Sequence, residues 1–272
     1  MYWDVDCSIC VVTAAHCLVD EEPKTEQITN EYAPMEMTVV AGALDVAIAT
    51  EDQRFAVTKI VRHPNYKGSP TVGMDGLGDQ NDIAILLLQQ PITSLSPAPI
   101  LTLDQFKNNL SQGKLVTITG YGFHDAAAGV DGRLYLAKTP YQRHNATELV
   151  VGAQGVPKIC GGDSGGPVYV SVDDTLYDTG VASRDVLNDG VECGSGEARY
   201  TMLPAYESWL RDNSSGAYPP PRSSSSDSSG LPNCTCKIER APASSGSGLW
   251  LGLGIALFLA RRRRATTLRT SW

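Results

Sequence analysis

The sequence predicts an all-β fold closed by one terminal helix, and three observations carry that prediction. Between residues 38 and 122, short runs rich in Val, Ile, Leu and Thr alternate with turn clusters. Few windows along the chain have helical periodicity, and the window that clearly does is 203–212. Many strands with one helix after them fit a barrel or a sandwich better than an α/β sheet. The strand runs are 38–40, 55–61, 82–88 and 114–119. Between them lie His63-Pro64-Asn65 and the glycine-rich stretch 73–79, whose residue types favour turns over ladders. In the helical window, Leu203, Tyr206, Trp209 and Leu210 recur at i, i+3, i+6 and i+7 and so share one face.

Composition narrows the functional classes. The chain has 272 residues, 42% of them hydrophobic and 19% charged, enough for a sizeable core and unlike a disordered or collagen-like chain. The formal net charge is -8, yet residues 219–272 hold eight Lys+Arg against two Asp+Glu, so the rest is more acidic than the total suggests. An acidic body argues against nucleic acid as a partner, since phosphate binding requires a basic face. The seven cysteines include no pattern with zinc-ligand spacing.

After residue 212 the composition changes abruptly. Residues 213–230 contain eight Ser, three Pro and two Gly, a linker with almost nothing to bury. Cys234 and Cys236 follow, within a linker segment spanning 213–240. Residues 241–260 then carry no charge, and as a helix at roughly 1.5 Å per residue they would reach about 30 Å, one bilayer core. Four arginines at 261–264 open a basic end, residues 261–272, and such a block marks the cytoplasmic side of a span. A buried terminal helix with a solvated basic end is the other reading, but a core helix would not need a serine linker. The spanning topology puts residues 1–240 outside the cytoplasm. Met1-Tyr2-Trp3-Asp4 does not look like an export signal, which makes Met1 read as a late start.

Three motifs carry chemistry. Thr13-Ala14-Ala15-His16-Cys17 follows the apolar pair Val11-Val12, and Asn81-Asp82-Ile83-Ala84-Ile85-Leu86 opens a strand. Cys160-Gly161-Gly162-Asp163-Ser164-Gly165-Gly166-Pro167 lies between two β-prone runs. Acyl transfer by serine needs a hydroxyl, a base to take its proton and a carboxylate that fixes the base's tautomer. It also needs backbone N–H groups aimed where the oxyanion forms, and flanking glycines allow a turn tight enough to present them. A lone histidine is usually structural, and a lone aspartate at a strand start is usually a turn residue. The conjunction, in the order His, Asp, Ser, is what points to catalysis.

With these motifs, residues 5–212 resemble a trypsin-like serine protease. The resemblance also rests on Lys59-Ile60-Val61-Arg62-His63-Pro64-Asn65-Tyr66, on Thr119-Gly120-Tyr121-Gly122, and on Tyr200-Thr201 leading to Tyr206 and Trp209. It implies two antiparallel six-stranded barrels with a C-terminal helix and the site in the cleft between them, within a protease domain spanning 1–212. It implies His16 as base and then acid, Asp82 as its orienting carboxylate, Ser164 as nucleophile, and the N–H groups of Gly162 and Ser164 as the oxyanion hole. Ser183 would lie near Asp82, in the strand that pairs with the substrate backbone. Lys158 would stand at the base of the primary specificity pocket, with Asp185 and Ala198 on its walls. Cys160 and Cys193 would form a disulfide bracing that pocket, and closing such a loop contributes about 3–4 kcal/mol in the chain-entropy picture.

Asp163 corresponds to the carboxylate that receives a processed N-terminal ammonium, from a segment that would precede Met1. Without that ammonium it would be a buried carboxylate costing several kcal/mol. The same segment would carry the partner of Cys17, unless Cys7 or Cys10, close upstream, forms an unusual local bridge with it. The tail resembles the MYXO-CTERM sorting tail of myxobacteria and their relatives, which implies a cell-envelope or cell-surface protein, an anchoring helix at 241–260, and processing or attachment at Cys234 or Cys236. Together these resemblances imply an exported, monomeric endopeptidase acting on protein or peptide substrates, with a membrane contact through the tail and no metal or organic cofactor. The rival reading is a surface-tethered binding module that keeps the fold without the activity.

Overall fold

Those apolar runs build strands in the computed structural model, which describes residues 9–22, 27–68, 76–124, 129–185, 193 and 195–214. The N-terminal half contains β1 (Cys10–Thr13), β2 (Val19–Glu21), β3 (Ile28–Glu31), β4 (Thr38–Val40), β5 (Arg54–Arg62) and β6 (Ala84–Leu88). Four of them form an antiparallel sheet in the order β1-β6-β5-β4. Its centre is β6, whose five residues Ala-Ile-Leu-Leu-Leu are all buried, as a strand covered on both faces must be. Phe55 and Val57 of β5, Val39 of β4 and Leu86 of β6 pack into one core on one side of this sheet.

The expected first six-stranded barrel is not closed among the described residues. β2 and β3 pair only with each other, and β3 is exposed at all four of its positions. A strand with no buried face has no drive to join a barrel wall, so this half is a half-barrel with a surface hairpin beside it.

The second barrel is closed. β7 (Leu115–Gly120), β8 (Tyr135–His144), β9 (Glu148–Pro157), β10 (Pro167–Val172), β11 (Thr175–Asp185) and β12 (Ser195–Met202) run β10-β11-β12-β9-β8-β7, with β10 pairing β7. Val116, Ile118, Leu149, Val151, Val168, Val170 and Tyr200 fill its interior. A short helix, α1 (Leu103–Asn109), contributes the fully buried Phe106 to the same core.

The helical window at the C-terminal end starts as a 3-10 turn, Leu203–Tyr206, and continues as α2 (Glu207–Asn213). Its apolar face seals the seam between the halves: Leu203, Tyr206 and Leu210 pack with Ala14, Ile83, Ile85 and Val181. His63 completes the seam, its ring 5.4 Å from that of Tyr206 and 5.0 Å from that of Trp209. The disulfide implied by the resemblance joins Cys160 to Cys193. The expected linker start is shifted, since Asn213 ends α2 and Ser214 caps it; the rest of the linker, Cys234, Cys236, the apolar stretch 241–260 and the basic end lie outside the described residues. Within the described residues, no helix is long and apolar enough to cross a membrane.

Candidate active site

His16 stands on a 3-10 turn, Ala15–Leu18, anchored by the fully buried Ala14 and Ala15. Asp82 lies two residues before β6. Asp82 is 1% exposed, and its Oδ2 is 2.7 Å from His16 Nδ1. Its Oδ1 accepts the backbone N–H of His16 at 2.9 Å, so one carboxylate fixes both the ring and the turn that carries it. Ser183, in β11, donates its hydroxyl to Asp82 Oδ2 at 2.6 Å, and Thr201 Oγ1 in β12 donates to the Asp82 carbonyl at 2.8 Å.

Burial alone would raise the Asp82 pKa, but the neighbouring imidazole and the hydrogen bonds from His16 and Ser183 outweigh it and hold the carboxyl below its ordinary range. Burial alone would push His16 down. The Asp82 carboxylate and the Cys17 sulfur beside it hold the imidazole well above its ordinary value instead.

Ser164 lies on the turn between Cys160 and Pro167. That turn is closed by Asp163 N–H to Cys160 O at 3.0 Å and Gly166 N–H to Asp163 O at 2.9 Å. Gly165 packs onto the histidine turn: a Cβ there would overlap Thr13 Oγ1 and lie 3.3 Å from the Ala14 nitrogen and 3.4 Å from Cys17 Sγ. Its φ of +78° is also one that only glycine adopts easily. The serine turn of the second barrel therefore rests against the histidine turn of the first half. The last link of the expected triad is not formed, however. His16 Nε2 faces Cys17 Sγ at 3.7 Å, and among the described residues no hydrogen bond joins it to Ser164. Hydroxyl–imidazole contacts of this kind are often long in free enzymes and tighten with substrate.

The other expected positions fall around this centre. Gly162 is exposed with φ +92°, and among the described residues neither its N–H nor that of Ser164 donates to a protein acceptor. Asp163 is half-buried, and its two oxygens accept N–H groups of Gly122 and Cys160, each at 2.8 Å. Burial raises its pKa more than these two hydrogen bonds lower it. Lys158 is buried and runs alongside Gly196 of β12. With Asp163, Gly122 and Phe123 it lines a cavity of about 410 Å³. Ala198 is fully buried and pairs in register with Asp185 across β11 and β12. Among the described residues, no group of three or more His, Cys, Asp or Glu side chains is placed to hold a metal.

Sequence reasoning missed the groups that hold the loop before Asp82. Gln80, Glu148 and Arg184 form a connected set there, with Arg184 donating to both Gln80 and Glu148. The available signal was a charged residue at the head of an apolar strand, as in Glu148-Leu149-Val150-Val151.

The chain is similar to known proteins over most of its described length. A family model described as Trypsin matches residues 6–210. The CLIP domain-containing serine protease B9 of Anopheles gambiae is 25% identical over 229 residues, covering 75% of this chain and 53% of that protein. The vitamin K-dependent protein C of Oryctolagus cuniculus is 28% identical over 230 residues, covering 75% and 44%. The tissue-type plasminogen activator of Rattus norvegicus is 26% identical over 230 residues, covering 75% and 37%. The chain spans about half the length, or less, of these curated relatives.

Proposed function

Because the chain belongs to the trypsin family, we infer that it is a serine endopeptidase working through an acyl-enzyme on Ser164. The observation that carries this reading is the buried Asp82 carboxylate bound to His16 Nδ1, with the glycine-flanked Ser164 turn packed on the same histidine turn. Asp82 keeps the proton on Nδ1 and leaves the Nε2 lone pair free to act as base. Ser164 Oγ attacks the substrate carbonyl while His16 takes its proton, and the N–H groups of Gly162 and Ser164 receive the oxyanion. His16 then gives the proton to the leaving amine, and the same steps with water release the acyl group. A fluorophosphonate probe tests the reading: it should label the protein, and Ser164→Ala should abolish the label. Labelling that survives this change removes Ser164 as the nucleophile, and a wild-type protein that never labels after activation favours the inactive binding module.

Lys158 supports a further proposal, that cleavage after Arg or Lys does not dominate. An ammonium at the base of a partly desolvated slot repels a basic side chain and attracts Asp or Glu, unless Asp185 neutralises it and leaves a slot for small or apolar residues. Ala198, at a wall position where glycine is common in the family, would narrow such a slot. A positional-scanning peptide library decides this, and a dominant basic preference unchanged in Lys158→Ala would sink it. Asp163, beside its cavity, is the carboxylate we assign to a processed N-terminal ammonium.

The Cys160–Cys193 disulfide fits an oxidising compartment outside the cytoplasm. The charge-free stretch 241–260 and the arginines after it support anchoring at the envelope, with Cys234 or Cys236 as the processing or attachment point. Deleting residues 231–272 should release the protein into the medium of its host, and unchanged fractionation would count against a sorting role.

A further inference from the structure

The loop 76–82 delivers Asp82 to the site, and most of what holds it comes from the second barrel. Arg199 Nε donates to Gly76 O at 2.5 Å. Gly78 N–H donates to Glu148 Oε2 at 2.7 Å, while Gly78 O accepts from Asn145 Nδ2 at 2.9 Å and Thr147 Oγ1 at 3.2 Å. Arg184 Nη1 donates to Gln80 Oε1 at 2.8 Å, and Tyr206 OH donates to Asn81 Oδ1 at 3.0 Å. From its own half the loop receives the N–H of Lys67 on Gln80 O at 3.2 Å, and Gln80 Nε2 donates to Gly68 O at 2.8 Å.

The strongest element of this clamp is an ion pair. Arg184 meets Glu148 with both forks, Nη1 to Oε1 at 2.6 Å and Nη2 to Oε2 at 2.7 Å. The side chains are 20% and 2% exposed. Burying such a pair is a poor route to stability, since apolar side chains of similar volume generally do as well. What a bidentate guanidinium adds is direction: its plane fixes several acceptors relative to one another. Here those acceptors are Glu148, which takes the Gly78 N–H, and Gln80 Oε1, which lies 3.3 Å from Ser183 Oγ. Ser183 is the residue whose hydroxyl binds Asp82. The pair thus reaches Asp82 along the loop, through Gly78 and Gln80.

We propose that the Arg184–Glu148 pair is a positioning device that, through Gln80 and Gly78, holds Asp82 in bonding register with His16. The proposal rests on the peptidase reading for its consequence in catalysis, but its geometry is testable without activity. The low-field proton resonance of the His16 Nδ1–H bound to Asp82 reports the contact directly. In Arg184→Met with Glu148→Met, which leaves no unpaired buried charge, that resonance should move upfield or broaden. kcat on a peptide ester should fall about 10- to 100-fold, as for a misplacement of about 1 Å, with KM little changed. A looser carboxylate holds the imidazolium less well, so the acid limb of kcat/KM should move to lower pH. Arg184→Lys keeps the charge without the fork and should fall between the two.

A folded double variant whose resonance and acid limb match the wild type overturns the proposal. So does a loss expressed only as a raised KM, which would make Arg184 a substrate contact. If the double variant does not fold, Gln80→Leu carries the test with the ion pair intact, and an unmoved resonance there overturns it equally. A wild type that shows the resonance but never labels at Ser164 would fail the peptidase reading alone.

Discussion

At the scale of single residues, Asp82 and His16 stabilise each other's charged forms in a setting that would disfavour either alone. The histidine is neutral only above its raised pKa, and on the proposed mechanism it must be neutral to accept the Ser164 proton. The acid limb of kcat/KM should therefore lie above the ordinary histidine value of about 6.5. Asp82→Asn should lower kcat by about 10⁴-fold and bring that limb down, as read from pH–rate profiles. The signs for stability follow from the same shifts. The contribution of His16 is present below its unfolded pKa and is lost as pH rises through the raised folded value. That of Asp82 is present above its unfolded value and is lost as pH falls through the depressed one. Both operate together in the weakly acidic to neutral range, so the melting difference between wild type and Asp82→Asn should be greatest there.

At the scale of elements, the Cys160–Cys193 bridge ties the serine turn to the residues just before β12, closing a sequence separation of 33. Replacing both cysteines by serine should cost about 2–5 kcal/mol, measurable by denaturant unfolding of the oxidised wild type against the double variant. The strands were legible where burial and β-propensity agree: the runs 38–40, 55–61, 82–88 and 114–119 became β4, β5, β6 and β7 with shifts of a residue or two at most. α1 was not foreseen, because seven residues with Phe106 as their single buried side chain show no period. Its start was nonetheless written in Thr102 and Gln105, which form a capping box across the first turn. The motifs around His16, Asp82 and Ser164 were legible because each is a contiguous string. The Glu148–Arg184 tie was not, since its partners lie 36 residues apart on different strands and nothing local links them. The hairpin β2–β3 likewise depends on which faces are left uncovered, and that is settled by packing.

At the scale of the molecule, the half-barrel and the closed barrel each have their own core, and a third set of side chains joins them. Leu210, 1% exposed, is part of that seam and far along the chain from the motifs of His16, Asp82 and Ser164. Leu210→Ala should cost about 2–5 kcal/mol in denaturant unfolding. It should also slow fluorophosphonate labelling, because α2 and Tyr206 steady the loop that carries Asp82. The two halves differ in one more respect, which concerns other copies of the chain. A closed ladder has no unpaired rim, so folded molecules cannot add strands to the second barrel. The four-stranded sheet of the half-barrel ends at β4, which offers Thr38, Val39 and Val40 before the chain turns at Gly42, and at β1 (Cys10–Thr13), which offers four residues. Strands this short make poor templates for intermolecular pairing, and the deeper apolar strand β6 is shielded between β1 and β5. Strand-to-strand association of folded copies is thereby limited to the half of the molecule that carries His16 and Asp82, and there to rims of three or four residues.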